Sequence, residues 1–250
     1  MSDTITLLID GDIFLYSVTT SCERAVCWDD KGDVWTLSAD MSEARPRFDV
    51  EIATLKKTLR ADKVVIALSD GTSNWRKTVL PSYKAKRKKT RKPLIYPQLK
   101  QYAKDTYQCV EWPTLEADDV LGLLAGGALA LKGDKIIVSS DKDLKTIPGK
   151  LYNHEHPERG VVEISKEEAD YNHLFQTLIG DTVDGYKGCP KIGPVSAKRL
   201  LEEPTWSTVL NTYISKGLTE EDALVQARVA RILRFGEYNM TKKEVRLWEP

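Results

Sequence analysis

No aspartate or glutamate occurs between Gly71 and Lys104, although the chain carries 37 acidic and 37 basic side chains and a formal charge of zero. The same stretch holds Arg76, Lys77, Lys84, Lys86, Arg87, Lys88, Lys89, Arg91, Lys92, Lys100 and Lys104. An evenly mixed surface is therefore excluded, and the neutral total conceals a cationic arm opposed by an anionic pocket elsewhere. Cysteine is scarce: Cys22, Cys27, Cys109 and Cys189 form no C-x-x-C pair. That absence argues against a disulfide scaffold or a zinc knuckle and points to a reduced, cytoplasmic setting. Histidine is scarcer still, and His154, His156 and His173 lack zinc-ligand spacing. The longest apolar run, Val120 to Leu131, is too short to cross a bilayer. The opening Met-Ser-Asp-Thr leads into a strand-like run without a signal-peptide pattern, so no membrane partner is expected. There is no G-x-S-x-G, and serine-hydrolase chemistry has no foothold. Repeats and low-complexity linkers are also missing, which at this length leaves one large domain, or one with a small appendage.

Three short apolar runs are present: Ile5–Ile9, Lys63–Leu68 and Lys135–Ser139. Continuous β-branched runs of this length between helical patterns predict buried, largely parallel strands of an α/β sheet. Each run reaches an aspartate within two residues, at Asp10, Asp70 and Asp141. Open α/β sheets bind ligands beyond the carboxyl ends of their strands, and a single strand-end Asp is otherwise an ordinary turn former. Apolar periodicity predicts helices near 13–21, 41–60, 94–104, 116–131, 166–178 and 220–235, with 116–131 buried nearly all round. Residues 84–92 lack any apolar face and are expected to be an exposed arm.

The segment "TLEADDVLGLLA", starting at Thr114, runs three carboxylates into an apolar helix. Two ionised carboxylates about 4 Å apart repel by roughly 4 kcal/mol at an effective dielectric of 20. The acidic candidates are Asp10, Asp70, Glu116, Asp118, Asp119, Asp141, Asp143, Asp181 and Asp184. An all-carboxylate donor set suits hard ions such as Mg²⁺ or Mn²⁺, and a two-ion site clamps a phosphodiester. Glu116 and Asp119 share a helix face at i, i+3, whereas Asp118 points about 100° away. Asp12 reads more simply as a helix cap and is left out of the set. Acidic residues in a first helical turn also complement the helix dipole, so each pair alone has an ordinary reading.

The basic segment "NWRKTVLPSYKAKRKKTRKP" mixes cations with Trp75 and Tyr83, a combination that grips phosphates and stacks on unpaired bases. A second element, "GCPKIGPVSAKRLL" from Gly188 to Leu201, predicts a helical hairpin. Backbone N–H groups at Gly188 and Gly193, with Lys191, Lys198 and Arg199, would hold a phosphate without reading bases.

Together "LLIDGD", "ALSDGTSNWRKTVLPSYKAKR", "LEADDVLGLLA", "IIVSSDKDLKTI" and "GDTVDGYKGCPKIGPVSAKRLL" resemble the 5′-nuclease family, which includes flap endonucleases and the 5′-nuclease domains of bacterial DNA polymerases. The stretches "HLFQTLIGD" and "ARILRFGEYNMTKKEVRLWEP" look most like the double-strand-specific 5′→3′ exonucleases of short-tailed bacteriophages. The resemblance implies a mixed, largely parallel sheet with flanking helices, over residues 1–180, with a helical arch near 76–104. It implies a helix-hairpin-helix duplex-binding region over 181–250. Its nine acidic positions match the family's metal-site carboxylates. Tyr83, Lys84 and Arg87 match arch residues, with Lys84 at the scissile phosphate, and Arg76, Lys77 and Lys86 are further DNA contacts. The implied cofactors are two Mg²⁺ ions, with Mn²⁺ as substitute and K⁺ at the hairpin, where Cys189-Pro190 departs from the usual small residues. The implied activity is 5′→3′ exonucleolytic hydrolysis of duplex DNA in phage replication, with flap and RNA-primer removal. The partners would be DNA with a 5′ end, flap or nick, an RNA–DNA hybrid, and replication proteins, in the host cytoplasm.

Two rival readings are weaker. "LLIDGD" also resembles haloacid-dehalogenase phosphatases, with Asp10 as nucleophile and Asp12 as acid, but the arm and hairpin then have no role. A non-catalytic DNA-binding module leaves the carboxylates without a purpose.

Overall fold

The computed structural model describes residues 4–86 and 91–250. The three predicted strands are neighbours at the centre of a six-stranded sheet. They are β1 (Ile5–Asp10), flanked by β4 (Lys63–Leu68) and β6 (Asp134–Val138). Ile9 is in register with both Ile66 and Val138. Strand β5 (Cys109–Glu111) extends one side, and β7 (Gly149–Tyr152) and β8 (Val161–Ile164) the other, in the order β5-β4-β1-β6-β7-β8. Only β8 is antiparallel to its neighbour.

Both faces are covered, which is why the central strands carry consecutive apolar residues, Leu7–Ile9, Val64–Leu68 and Ile136–Val138, rather than alternating ones. Leu8, Val65, Ala67 and Ile137 face α5 (Ala117–Ala125). Leu7, Ile9, Ile66 and Val138 face a layer made by α1 (Gly11–Ser21), α2 (Met41–Thr58) and α4 (Tyr96–Thr106). Between α1 and α2, the hairpin of β2 (Arg24–Cys27) and β3 (Trp35–Ser38) stands apart from the main sheet. A third core joins α6 (Lys166–Ile179) to α7 (Pro194–Leu200), α8 (Trp206–Ser215) and α9 (Glu220–Ala230). After α9 the chain returns to the sheet, and Ile232, Leu233 and Tyr238 pack into the α5 face. A short ribbon of β9 (Tyr238–Asn239) and β10 (Glu244–Val245) follows.

The helix expected over 116–131 ends at Ala125. Gly126 and Gly127 follow, with Gly127 at φ +108°, a conformation that stops a helix and strains any other residue. The helix near 220–235 stops at Ala230, because Arg231 is extended and starts the return to the sheet. The predicted 94–104 helix is part of the core rather than the exposed arm, since Ile95, Tyr96, Leu99 and Ala103 are buried. Of the arm itself, the described part is a short helix, α3 (Arg76–Val79), and a turn over 81–86. No described helix is long and apolar enough to cross a membrane.

Candidate active site

At the carboxyl edge of the sheet, four separate segments converge on a cavity of about 340 Å³. The end of β1 supplies Asp10 and Asp12, and the start of α5 supplies Glu116 and Asp118. The turn after β6 supplies Asp141 and Asp143, and the turn after α6 supplies Asp181 and Asp184. Local hydrogen bonds set each side chain. Asp10 caps α1 by accepting from the Ile13 N–H at 3.3 Å and accepts from the Ser139 hydroxyl at 2.8 Å. Asp141 accepts from the Asp143 N–H at 2.8 Å, and Asp143 from the Gln176 amide at 2.6 Å. Asp181 accepts from the N–H groups of Val183 and Asp184, which folds its turn back on itself.

That turn depends on two glycines. Gly180 and Gly188 both have positive φ, +68° and +65°, and their backbones meet where a Cβ on Gly188 would lie 2.4 Å from the Gly180 nitrogen. Gly188 donates its N–H to the Gln226 side chain at 2.9 Å. It therefore closes the 181–187 turn, and its N–H is not available to a phosphate as the sequence reading expected. Gly193, Lys191, Lys198 and Arg199 are exposed in the 188–201 segment, and Lys77 and Lys86 are exposed on the described part of the arm.

The electrostatics of the cavity are unbalanced. Burial, and then the charge of Asp12, push the Asp10 carboxyl up to about 7. Burial, followed by the neighbouring charges of Asp10 and Asp141, raises Asp118 well above the carboxylate range. Asp143 rises to about 6, from burial and then Asp141. Glu116 goes the other way. Burial alone would raise it, but Lys84 and Arg76 outweigh burial and hold it at about 2. The donors are all hard oxygens, and eight carboxylates share the cavity with two lysines, Lys84 and Lys142, an excess of negative charge that a hard divalent ion satisfies. Among the described residues no three acidic, histidine or cysteine side chains are gathered tightly enough to hold an ion as they stand. The fit is one of donor type and charge.

Over the cavity sits the 81–86 turn. Tyr83 is buried, and its hydroxyl lies 2.9 Å from Glu116 Oε2 and 3.1 Å from Asp184 Oδ2. Lys84 places Nζ on Glu116 Oε1 and 3.5 Å from Asp184 Oδ2. Burial lowers the Lys84 ammonium, but Glu116 and Asp184 more than compensate and keep it charged. Its backbone is left-handed at φ +50°, with the N–H held by the Asp184 carbonyl at 2.8 Å. Such a conformation costs a non-glycine residue on the order of 1–2 kcal/mol, here held by the packing of one turn on the other. Arg87 lies outside the described residues.

Two of the nine acidic candidates do not line the cavity. Asp119 is fully buried in the protein and receives both Arg76 Nη groups at 2.7 Å, with Trp75 Nε1 at 3.0 Å and the Leu233 N–H at 3.1 Å. Arg76 also reaches Glu116 at 2.9 Å and the carbonyls of Val229 and Arg231. A helix dipole offsets at most about 1 kcal/mol at an exposed carboxylate, too little against the repulsion in the 116–119 cluster. The buried guanidinium supplies the rest. Arg76, expected on DNA, is thus 3% exposed and internal, and Asp119 is its counter-ion. Asp70 is likewise committed. It accepts from the Thr72 N–H and hydroxyl, the Ser73 hydroxyl and the Thr114 N–H, all within 2.8 Å, and these bonds overcome its desolvation and hold it far below the usual range. Conversely Asp12, left out of the expected set, lines the cavity, held by the Tyr96 hydroxyl at 3.1 Å. The signal for it was the Asp-x-Asp spacing in "LLIDGD".

The fold matches that of solved 5′-nucleases. The bacteriophage T5 flap endonuclease, solved as a complex with DNA and metal ions, superposes with a TM-score of 0.63 at 14% identity, covering 90% of this chain and 93% of that one. Residues 6–156 match the family profile of the 5′-3′ exonuclease N-terminal resolvase-like domain. The exodeoxyribonuclease of Enterobacteria phage T3 is 32% identical over 98% of this chain and 92% of its own length. The exonuclease of Escherichia phage T7 is 32% identical over 98% and 93%. The chain belongs to the 5′-3′ exonuclease family and is a nuclease of that class.

Proposed function

We propose that the protein is a divalent-metal-dependent 5′→3′ exonuclease acting on the 5′ ends of duplex DNA through two metal ions. On this reading it also cleaves flaps and removes RNA primers, in phage replication and recombination in the host cytoplasm. The observation that carries it is the crowding of eight carboxylates around Lys84 in one cavity at the sheet's carboxyl edge. The acids fall into two groups sharing Asp141. Asp10 and Asp141 both raise Asp118, whereas Asp141, Asp181 and Asp184 raise Asp143. Two such groups accommodate two cations better than one.

Asp10, Asp12, Glu116, Asp118 and Asp141 would hold one ion, and Asp143, Asp181 and Asp184, with Asp141 again, the other. When bound, such ions supply charge neutralisation at the phosphodiester and acidify the attacking water. Water's oxygen bonds to phosphorus, the P–O3′ bond breaks, and the 3′ oxygen takes up a proton. Lys84, held charged by Glu116 and Asp184, donates to a phosphate oxygen as negative charge builds there. Tyr83 fixes the geometry by tying Glu116 to Asp184. The exposed Lys77, Lys86, Lys191, Lys198 and Arg199 contact backbone phosphates without reading sequence. K⁺ at hairpin carbonyls is consistent with the same mode of duplex binding.

The test is cleavage of 5′-labelled duplex, flap and RNA-primed substrates with and without Mg²⁺. Asp141→Ala and Asp184→Ala should abolish cleavage while duplex binding persists, and Lys84→Ala should lower the rate about 100-fold with little change in affinity. Full activity of either aspartate variant, or of the protein in excess EDTA, rules out the two-ion mechanism.

A further inference from the structure

Tyr96 is the first residue of α4, and its ring lies in the core that α4 shares with α1 and α2. Only 6% of the residue is exposed, yet its hydroxyl reaches the rim of the carboxylate cavity and donates to Asp12 Oδ1 at 3.1 Å. The Ser69 N–H approaches the same oxygen at 3.5 Å, a marginal distance for a hydrogen bond. Both fall on Oδ1, and among the described residues no donor is bonded to Oδ2. Lys100 lies one turn further on, on the same face of α4. Its Nζ donates to the Ser69 carbonyl at 2.9 Å and meets Glu111 at 3.3 Å. Ser69 lines the cavity, and its hydroxyl accepts from the Ala117 N–H at 2.8 Å, at the start of α5. One face of α4 therefore holds Asp12 after β1, Ser69 after β4 and, through Ser69, the helix that carries Glu116 and Asp118.

Asp12 needs such a hold. It follows Asp10 by two residues, both line the same cavity, and like charges that close repel. A short carboxylate side chain can swing away from that repulsion, whereas a hydroxyl on a packed ring has little freedom to follow it. Carboxylates that bind ions are commonly steadied by a hydrogen bond from outside the site, and losing it costs about 10- to 100-fold in affinity. We propose that Tyr96 is a positioning residue for the ion-binding carboxylates. By donating to Oδ1 of Asp12 it keeps Oδ2 turned into the cavity, and Asp12 serves as an ion ligand only while so held. The inference rests on the metal-dependent reading above and deepens it: the helix that follows the arm, and not only the strand ends, sets the affinity for divalent ions. Tyr96 touches neither ion nor substrate and acts through Asp12 alone.

Tyr96→Phe keeps the ring in the core and removes only the hydroxyl. Mn²⁺ binding to the protein without DNA, read from the electron paramagnetic resonance of the free ion, should weaken by about tenfold or more. The Mg²⁺ concentration needed for half-maximal cleavage should rise by a similar factor. Asp12→Ala should weaken Mn²⁺ binding at least as much, and adding Tyr96→Phe to it should cost nothing further, because the hydroxyl then has no carboxylate to hold. Unchanged Mn²⁺ affinity in Tyr96→Phe overturns the proposal. So does a full further loss in the Asp12→Ala background, which would trace the effect to packing of the ring rather than to its hydrogen bond. An unaltered protein that binds no Mn²⁺ and cleaves fully in excess EDTA overturns the metal-dependent reading instead.

Discussion

Asp119 and Arg76 form the most enclosed charge pair described in the protein, with side chains 0% and 3% exposed. Breaking such a pair leaves one charge stranded in a low-dielectric interior. Asp119→Ala should therefore destabilise the fold by about 3–5 kcal/mol. Denaturant unfolding checks this, and a variant that unfolds normally but has lost cleavage would instead make Asp119 a ligand. His173 offers a cleaner titration away from the site. It is buried on α6, donates Nε2–H to the Ala227 carbonyl at 2.8 Å, and meets the Trp248 ring edge-on. Burial, and then Arg231, push its pKa down from 6.5 to about 3. The unfolded chain binds this proton at a higher pH than the folded one, so the contribution is complete above 6.5 and is lost as pH falls toward 3. The slope within that window is at most about 1.4 kcal/mol per pH unit. His173→Gln keeps a donor for Ala227, and the pH dependence of its unfolding midpoint should be flatter than that of the unaltered protein.

Helix α5 carries two of the cavity's carboxylates, and its position is set by a close approach rather than by its own sequence. A Cβ at Gly122 would lie 2.1 Å from the Leu233 carbonyl oxygen, on the returning C-terminal segment. Gly122→Ala must push that segment away, and with it the Arg231 carbonyl and the Leu233 N–H that hold Arg76 and Asp119. Overpacking of this kind costs about 1–3 kcal/mol. Thermal unfolding should register it as a lower Tm, and activity should fall with it because Glu116 shares the Arg76 guanidinium. A glycine inside a helix is legible in sequence only as a blemish in propensity, and its meaning lies in a contact more than a hundred residues away. The strands were more legible. Central strands covered on both faces carry consecutive apolar residues, and that run survives whatever packs on them.

At the scale of the whole molecule, the zero net charge divides into an anionic cavity and exposed cations on the arm and hairpin. Duplex affinity should fall steeply with salt, since each neutralised phosphate releases counterions. Removing Lys198 and Arg199 together should reduce the slope of log K against log salt by about 1–2. Binding titrations over a range of salt measure it, and a slope unchanged in the double variant would remove α7 from the duplex interface. The same scale explains the three displaced candidates. Asp70, Asp119 and Arg76 look like their neighbours in composition and spacing, but Asp70 is taken up by its own turn and Thr114, and the other two by each other.

The sheet was legible in the chain alone, because consecutive buried apolar residues of this kind are satisfied between two layers of helices. It also determined where chemistry would gather, because each central strand runs out into an acidic turn at the carboxyl edge. The charge partition between arm and pocket was equally plain, since composition alone shows where one sign is missing. Which carboxylates face the cavity and which face a buried arginine was settled by packing. The difference between Asp118 and its neighbour Asp119 is one residue's rotation about a helix axis. What lies on each side of that helix is set by chain segments distant in sequence. Asp12 lines the cavity, and Arg76, Asp70 and Asp119 do not, for that reason.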